Sequence, residues 1–405
     1  MPALLHRTAR AGDPPAAGVV ARPAGNKSAR TGPIGGLSQR RIQDLLVSAG
    51  IGTDGRRKWD LDVHDGRFYA RVLAEGTLGF GESYMDGWWD CEALDEMFCR
   101  AIRERLEERV PLNVRTILCY IESVVRNLQT RRRAGTVGER HYDLGNEFFQ
   151  AMLDPAMQYS CACFRGTSDL ATAQQIKLDL ICRKLGLAPG MRLLDIGCGW
   201  GGLARHAAVH HGCRVVGITI SREQAAFAND LCRGLPVEIR LADFRDIQDS
   251  FDRIVSVGML EHVGYKNYRS YFETVSRSLL PGGLFLCQTI GSDRSGTRCD
   301  PWINRHIFPN SMLPSVAQVA RATEGLLVLE DVDNFGADYD RTLLAWERNF
   351  SRAWDRFSGR YGGRFQRMWR FYLLSCAGAF RARSLQLFQF VFSNGGVPGG
   401  WAAAH

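Results

Sequence analysis

The residues with the clearest capacity for chemistry lie in Leu193-Leu194-Asp195-Ile196-Gly197-Cys198-Gly199-Trp200-Gly201-Gly202. An apolar strand runs into a glycine turn that opens a helix. The glycines let backbone N–H groups approach a ligand where a Cβ would block them. The helix start behind them adds unpaired donors and the positive end of a dipole. Gly197, Gly199 and Gly202 satisfy the loose pattern G-x-G-x-x-G, so the turn alone also fits a nicotinamide cofactor. Further along, Glu261-His262 follows a fourth strand, with no metal-ligand spacing around it. A carboxylate there suits orienting an anion or stabilising a cation, and simple helix capping is the alternative. Cys376 is a candidate thiol. Its helical spacing with Trp369, Leu373 and Phe380 puts it on an apolar stripe with no adjacent base, which argues for packing rather than nucleophilic attack.

The elements that must position these residues follow from periodicity. Strands are expected at 191–196, 214–218, 237–241, 252–257 and 283–289, alternating with helices near 202–211, 222–232 and 267–280. This is α/β: a doubly wound sheet whose ligand crevice lies at the C-terminal ends of its strands. Strands at 326–332 and 385–392, with helices at about 340–357 and 364–382, complete seven strands, and helices at 146–153 and 170–186 precede them. Ahead of this domain (140–405) stand a helical linker (116–139) and a small, mostly helical domain (37–115). The small domain contains helical spacing at 41–47, a continuous helix at 92–109, another at 113–130, and a glycine- and aromatic-rich run from Gly76 to Trp89. Residues 1–36 read as a disordered basic tail. Their arginines and near lack of acids also fit a transit peptide, although the prolines and glycines argue against a targeting helix.

Composition narrows the class. The 405 residues are 45% hydrophobic and 23% charged, ordinary for a globular protein. No apolar run is long enough to span a bilayer. The N-terminus lacks the apolar core of a secretory signal. Twelve cysteines are scattered without a C-x-x-C pair, which points to a reducing cytosol rather than a disulfide framework or zinc ribbon. The net charge of +8 comes almost entirely from arginine. On charge alone it suits an anionic membrane surface, nucleic acid, an acidic ligand or an unspecialised solvated face.

The cofactor is decided by position. A nicotinamide fold wants an acid at the tip of the second strand, but that strand ends Gly217-Ile218-Thr219-Ile220-Ser221. Instead Asp195 precedes the turn and Asp243 follows the third strand. This set resembles a class I S-adenosylmethionine-dependent methyltransferase. A closer resemblance rests on seven more stretches: His141 to Asn146, Met157 to Ala162, Gly217 to Ser221, Val257 to Gly264, Asp300 to Asn304, Phe335 to Asp340, and Cys376 to Arg381. Together with the glycine turn they are similar to the cyclopropane-fatty-acyl-phospholipid synthases, and Gly79 to Trp89 resembles that family's N-terminal domain. The resemblance covers about residues 40–392.

The resemblance implies methylene transfer from S-adenosylmethionine to a cis double bond in an unsaturated phospholipid, through a carbocation that loses a proton as the ring closes. Gly197, Gly199 and Gly201 would approach the cofactor by backbone, with Asp195 positioning the loop. Thr219 and Gln224 would stand in for the ribose acid, although Thr219 and Ser221 equally suit capping of the next helix. Asp243 and Phe244 would sit at the adenine, and Tyr159 and Ser160 at the methionine end. The family is associated with a bound bicarbonate as base. Cys161, Glu261, Ile290 and Tyr339 match its ligands, but Gln288 stands where the family has His. Gln can donate to an anion but cannot titrate. His262 is expected to make a structural hydrogen bond. The implied partners are a membrane surface on the cytoplasmic side, contacted through arginines and Trp88-Trp89, and a second copy of the chain in a homodimer. Neither a metal nor nucleic acid is expected. The alternative is a related lipid C-methyltransferase that leaves a branched methyl or methylene product.

Overall fold

The computed structural model describes residues 33–109, 144–297 and 299–405. The tail through residue 32, the expected helix at 113–130, the linker at 116–139 and His141-Tyr142-Asp143 lie outside the described residues.

The N-terminal part is helical. Helix α1 (Pro33–Ser48) begins inside the stretch read as tail, because proline is tolerated in a first helical turn. It buries Ile42 and Leu46, four residues apart on one face. A two-stranded ribbon, β1 (Asp62–Val63) and β2 (Trp89–Asp90), brackets α2 (Arg67–Glu75) and α3 (Thr77–Met85). The helix expected over 92–109 is instead two, α4 (Leu94–Arg103) and α5 (Leu106–Arg109), interrupted where Arg105 takes a left-handed φ of 53°. The adjacent tryptophans do not form an exposed pair. Trp89 is fully buried, its indole N–H donating to Ser83 Oγ at 3.0 Å. Trp88 is half-buried beneath the guanidinium groups of Arg67 and Arg71, 4.6 and 5.0 Å from its ring. Trp89 therefore packs the core and offers nothing to a lipid surface.

The larger part begins with α6 (Asn146–Met152) and α7 (Leu170–Lys184). It then alternates: β3 (Arg192–Ile196), α8 (Gly202–His211), β4 (Arg214–Thr219), α9 (Arg222–Leu231), β5 (Val237–Leu241) and β6 (Phe251–Val257). Helices α10 (Leu260–Val263) and α11 (Tyr268–Ser278) lead to β7 (Leu279–Ser292). After α12 (Pro301–His306) and α13 (Val316–Thr323) come β8 (Val328–Asn334), α14 (Ala337–Ala353), α15 (Ser358–Arg381) and β9 (Leu385–Ser393). The seven strands form one sheet in the order β5-β4-β3-β6-β7-β9-β8, with β9 antiparallel to both its neighbours and the rest parallel. That is the expected doubly wound methyltransferase sheet. Strand order reverses at β3, so the crevice opens beside Asp195, one residue before the end of β3.

The two parts share one hydrophobic core, which runs from Ile42, Phe68 and Trp89 to Trp302, Trp369 and Phe371. Helix α15 lies against α4 at Gly378, where a Cβ would stand 2.5 Å from the Asp95 carbonyl oxygen. Arg381 closes the same contact, donating to Asp340 on α14 at 2.9 Å and to Asp95 on α4 at 2.6 Å. The buried Glu82 of α3 similarly binds His306 at 2.8 Å and Arg364 at 2.6 Å. The motif ending in Arg381 thus fastens the N-terminal helices onto the α/β part.

Candidate functional site

A cavity of about 190 Å³ sits at the C-terminal ends of β3, β4 and β5. It is lined by Tyr159, Ser160, Asp195, Gly197, Gly199, Thr219, Gln224, Asp243 and Phe244, nine of the ten residues expected to hold the cofactor. Gly201 is the exception. It has φ of 83°, and a Cβ there would meet the Ala228 Cβ at 2.9 Å. Glycine is required at that position by helix packing against α9, not by the ligand. Ser221 caps α9, accepting from the Gln224 amide at 3.3 Å, whereas Thr219 donates to Gln224 Oε1 at 2.8 Å inside the cavity. Ser221 is therefore the helix cap, while Thr219 does both: its hydroxyl also accepts from the Ser221 backbone N–H at 3.2 Å. Asp243 accepts from the Arg245 backbone N–H and guanidinium at 2.9 and 2.8 Å.

Asp195 is buried, and its Oδ2 has no hydrogen-bond partner among the described residues. Burial pushes its carboxyl up to about 7, against the opposing pull of Lys177. A buried acceptor without a donor fits a ligand that brings one, such as the amino-acid end of S-adenosylmethionine. Lys177 was not singled out by sequence reasoning. Fully buried on α7, it donates to Gln158 Oε1 at 2.5 Å and Ser160 Oγ at 3.1 Å. Burial lowers its ammonium to about 8, although the Asp154 and Asp195 carboxylates pull it back up. A lysine at helical spacing reads as a solvated residue, so nothing in the sequence marked it.

A second cavity, of about 540 Å³, adjoins the first. Tyr159, Ser160, Gly258, His262 and Phe308 belong to the walls of both. All six residues expected to do chemistry line it: Cys161, Glu261, Gln288, Ile290, Tyr339 and Cys376. Glu261 Oε1 accepts from the Ile290 amide at 2.6 Å, while its Oε2 is buried without a partner among the described residues. Burial lifts this carboxyl to about 7, despite that hydrogen bond. Burial likewise drives Cys161 and Tyr339 well above their ordinary values, so both are neutral donors at pH 7. Tyr339 is stacked on Phe380 at 4.5 Å. The expected structural bond of His262 is not observed: its Nδ1 is buried and unpartnered among the described residues, and burial lowers it to about 4. Its ring instead meets Phe308 edge-on at 5.6 Å in the wall between the cavities.

Much of the remaining wall is apolar and comes from the N-terminal helices, through Ile42, Leu46, Val72, Met97, Ile102 and Leu106, and from the α/β part, through Trp302, Leu343, Phe371 and Leu387. Their periodic apolar faces were visible in the sequence, but their destination was not. Electron-rich rings crowd the polar end. Tyr159 lies 5.1 Å from Trp346 and shares a 3.0 Å hydrogen bond with Tyr372.

Comparison with known proteins agrees with this arrangement. Residues 129–390 match the family model described as mycolic acid cyclopropane synthetase. The chain is 53% identical over 356 residues to cyclopropane-fatty-acyl-phospholipid synthase of Escherichia coli (strain K12), covering 88% of this chain and 93% of that one. Among solved structures, the cyclopropane synthase MmaA2 from Mycobacterium tuberculosis superposes with a TM-score of 0.61 at 30% identity, covering 66% of this chain and all of that one. The mycolic acid cyclopropane synthase CmaA1 complexed with SAH and CTAB gives 0.60 at 31% identity, covering 64% and 98%. The chain therefore belongs to the mycolic acid cyclopropane synthetase family and is an S-adenosylmethionine-dependent methyltransferase.

Proposed function

We propose that the protein converts cis double bonds in the acyl chains of unsaturated phospholipids into cyclopropane rings. The observation that carries this reading is the shared wall of the two cavities: Tyr159, Ser160 and His262 border both the cofactor cavity and the larger, mainly apolar chamber beside it. S-adenosylmethionine supplies an electrophilic methyl group. Asp195, Thr219, Gln224 and the Gly197–Gly199 turn hold it, with Asp243 and Phe244 at the adenine end. The apolar chamber keeps the olefin dry and fixed against the methyl-bearing wall, which is the main help a weak nucleophile can receive. Tyr159 and Tyr372 present ring faces to the positive charge that develops on the acyl chain, and the buried Trp346 packs behind Tyr159 at 5.1 Å.

The geometry also fits a bicarbonate as base. Tyr339 O–H and the Gln288 amide offer donors, and Glu261 lines the same cavity as the ionisable acceptor, while the Cys161 S–H is given to the Ala162 carbonyl at 3.2 Å. The Ile290 N–H is already given to Glu261, so Ile290 holds that carboxylate rather than the anion. Gln288 in place of the family's His also favours a second reading, a lipid C-methyltransferase that resolves the same cation into a branched methyl or methylene product.

Among the described residues no helix is long and apolar enough to cross a membrane. The chamber wall formed by Ile102 and Leu106 lies in a charge-balanced stretch, where Arg105 and Arg109 pair with Glu108 and Glu104, so docking on an anionic membrane face rests on the arginine-borne net charge of +8. A homodimer rests on the resemblance alone. Incubation with labelled S-adenosylmethionine and unsaturated phospholipid vesicles, followed by fatty-acid mass and proton analysis, tests the function. A gain of one CH2 with loss of the vinylic signal is expected. A methyl or exocyclic methylene signal means the second reading, and no gain overturns both. Co-sedimentation should favour anionic vesicles and weaken with salt.

A further inference from the structure

Behind the sheet, away from both cavities, α7 and α8 bring together Cys182, His206 and His211, with one ligand atom from each lying within 4.8 Å of the other two. Three features separate this cluster from ordinary packing. His206 is nine-tenths buried, yet its Nε2 has no hydrogen-bond partner among the described residues. The same is true of His211 Nε2, which is also buried. Two buried imidazole nitrogens without partners on one patch are unusual, since buried polar atoms are nearly always satisfied. The donor set, one sulfur and two imidazoles, is the combination that borderline-soft divalent ions prefer.

We propose that Cys182, His206 and His211 form a binding site for a zinc-class divalent ion that clamps α7 to α8. Asp179, one turn before Cys182 on α7, borders the cluster at His211 alone: its Oδ1 lies 3.9 Å from His211 Nε2, while its Oδ2 is held by Arg183 at 2.8 Å. Burial holds His206 down to about 4, so it is a neutral ligand at pH 7. Burial also keeps the Cys182 thiol protonated in the absence of an ion. On binding, the S–H proton leaves to solvent and the thiolate forms the metal–sulfur bond. Because α8 starts at the glycine turn, a clamp at its far end stiffens the helix on which the cofactor loop is mounted. The site is independent of the proposed reaction.

The test uses the full chain after chelation and dialysis, titrated with Co2+ alone and then Zn2+. One equivalent of Co2+ is expected, with a thiolate charge-transfer band and the strong visible bands of a tetrahedral ion, both bleached by one equivalent of Zn2+. The His206→Asn/His211→Asn pair should lower Zn2+ affinity by about 100-fold or more. Cys182→Ser should abolish the charge-transfer band. His211→Asn alone changes a partly exposed position and serves as the variant least prone to misfold; circular dichroism checks each fold. No stoichiometric binding by the wild type overturns the proposal. So does an unchanged spectrum and affinity in the histidine variants, or a charge-transfer band that survives in folded Cys182→Ser.

Discussion

Gln288 and Gln389 face each other across the paired strands β7 and β9, and Gln288 Oε1 accepts a 2.8 Å hydrogen bond from Gln389 Nε2. The carbonyl end of Gln288 is thereby committed, and its NH2 is the end left to donate to an anion in the chamber. Gln288→Leu removes that donor. Turnover should fall about tenfold, the worth of one hydrogen bond to a charged group, with the bicarbonate concentration for half-maximal rate rising by a similar factor. Gln288→His should keep the bicarbonate response and add an imidazole titration, displaced below the ordinary value by burial at this position. Steady-state rates across bicarbonate and pH decide it; identical behaviour of all three proteins removes Gln288 from the anion site.

Glu261 sets the acid limb of the pH profile. Its carboxyl, lifted by burial to about 7, must be ionised to orient a protonated base, so kcat at saturating cofactor should decline below that pH. Glu261→Gln should flatten the limb and lower kcat by about 100-fold. Stability has the opposite sign. Between the ordinary carboxyl value of 4.5 and about 7 the folded state binds more protons than the unfolded chain. Stability therefore falls as pH rises through that window, and Asp195 adds to the fall. Melting temperatures from pH 5 to 8 should drop less steeply in Glu261→Gln.

Lys177 reaches the cofactor only through Gln158, Ser160 and the field at Asp195, which makes it a positioning residue. Lys177→Met should raise KM for S-adenosylmethionine about tenfold or more, since an uncompensated buried carboxylate at Asp195 is left behind, while KM for phospholipid stays within about twofold. Lys177→Arg should restore little, because the guanidinium is larger than the buried space. Equal effects on both KM values would mean general loosening instead.

Cys376 lines the chamber, but burial pushes its thiol up to about 12, leaving no thiolate at neutral pH. Cys376→Ser should retain at least about half of the wild-type turnover, because no nucleophile is lost. Complete inactivity in a protein with a wild-type melting curve would overturn this.

Strand and helix order was legible in the sequence because alternating apolar runs and glycine punctuation mark it directly. The lining of the first cavity was legible too, since Asp195 and Thr219 stand at the ends of β3 and β4 and Asp243 just after β5, which brings them to one edge. Four features were not. Gly201 looked like Gly197 and Gly199, and only the nearness of Ala228 distinguishes it. Trp89 stayed open between a surface contact and ordinary core packing, because sequence spacing does not reveal that Phe80 and Phe371 enclose it, at 4.5 and 6.5 Å. Lys177 and the partnerless nitrogen of His262 are properties of burial, which only the packed chain displays.

The chamber is assembled from opposite ends of the chain: ring-closing groups on β7, α10 and α14, and hydrocarbon-facing side chains on α1, α4 and α5. Which fatty acid is admitted and what is done to it are thus encoded separately. Exchanging Ile42, Met97 or Leu106 for bulkier or smaller residues would shift the acyl length and bond position accepted while leaving the chemistry untouched. A catalytic part cut away before residue 144 would keep the wall that Leu343, Phe371 and Leu387 supply and lose the one built from Ile42, Met97 and Leu106, leaving the chamber open on that side.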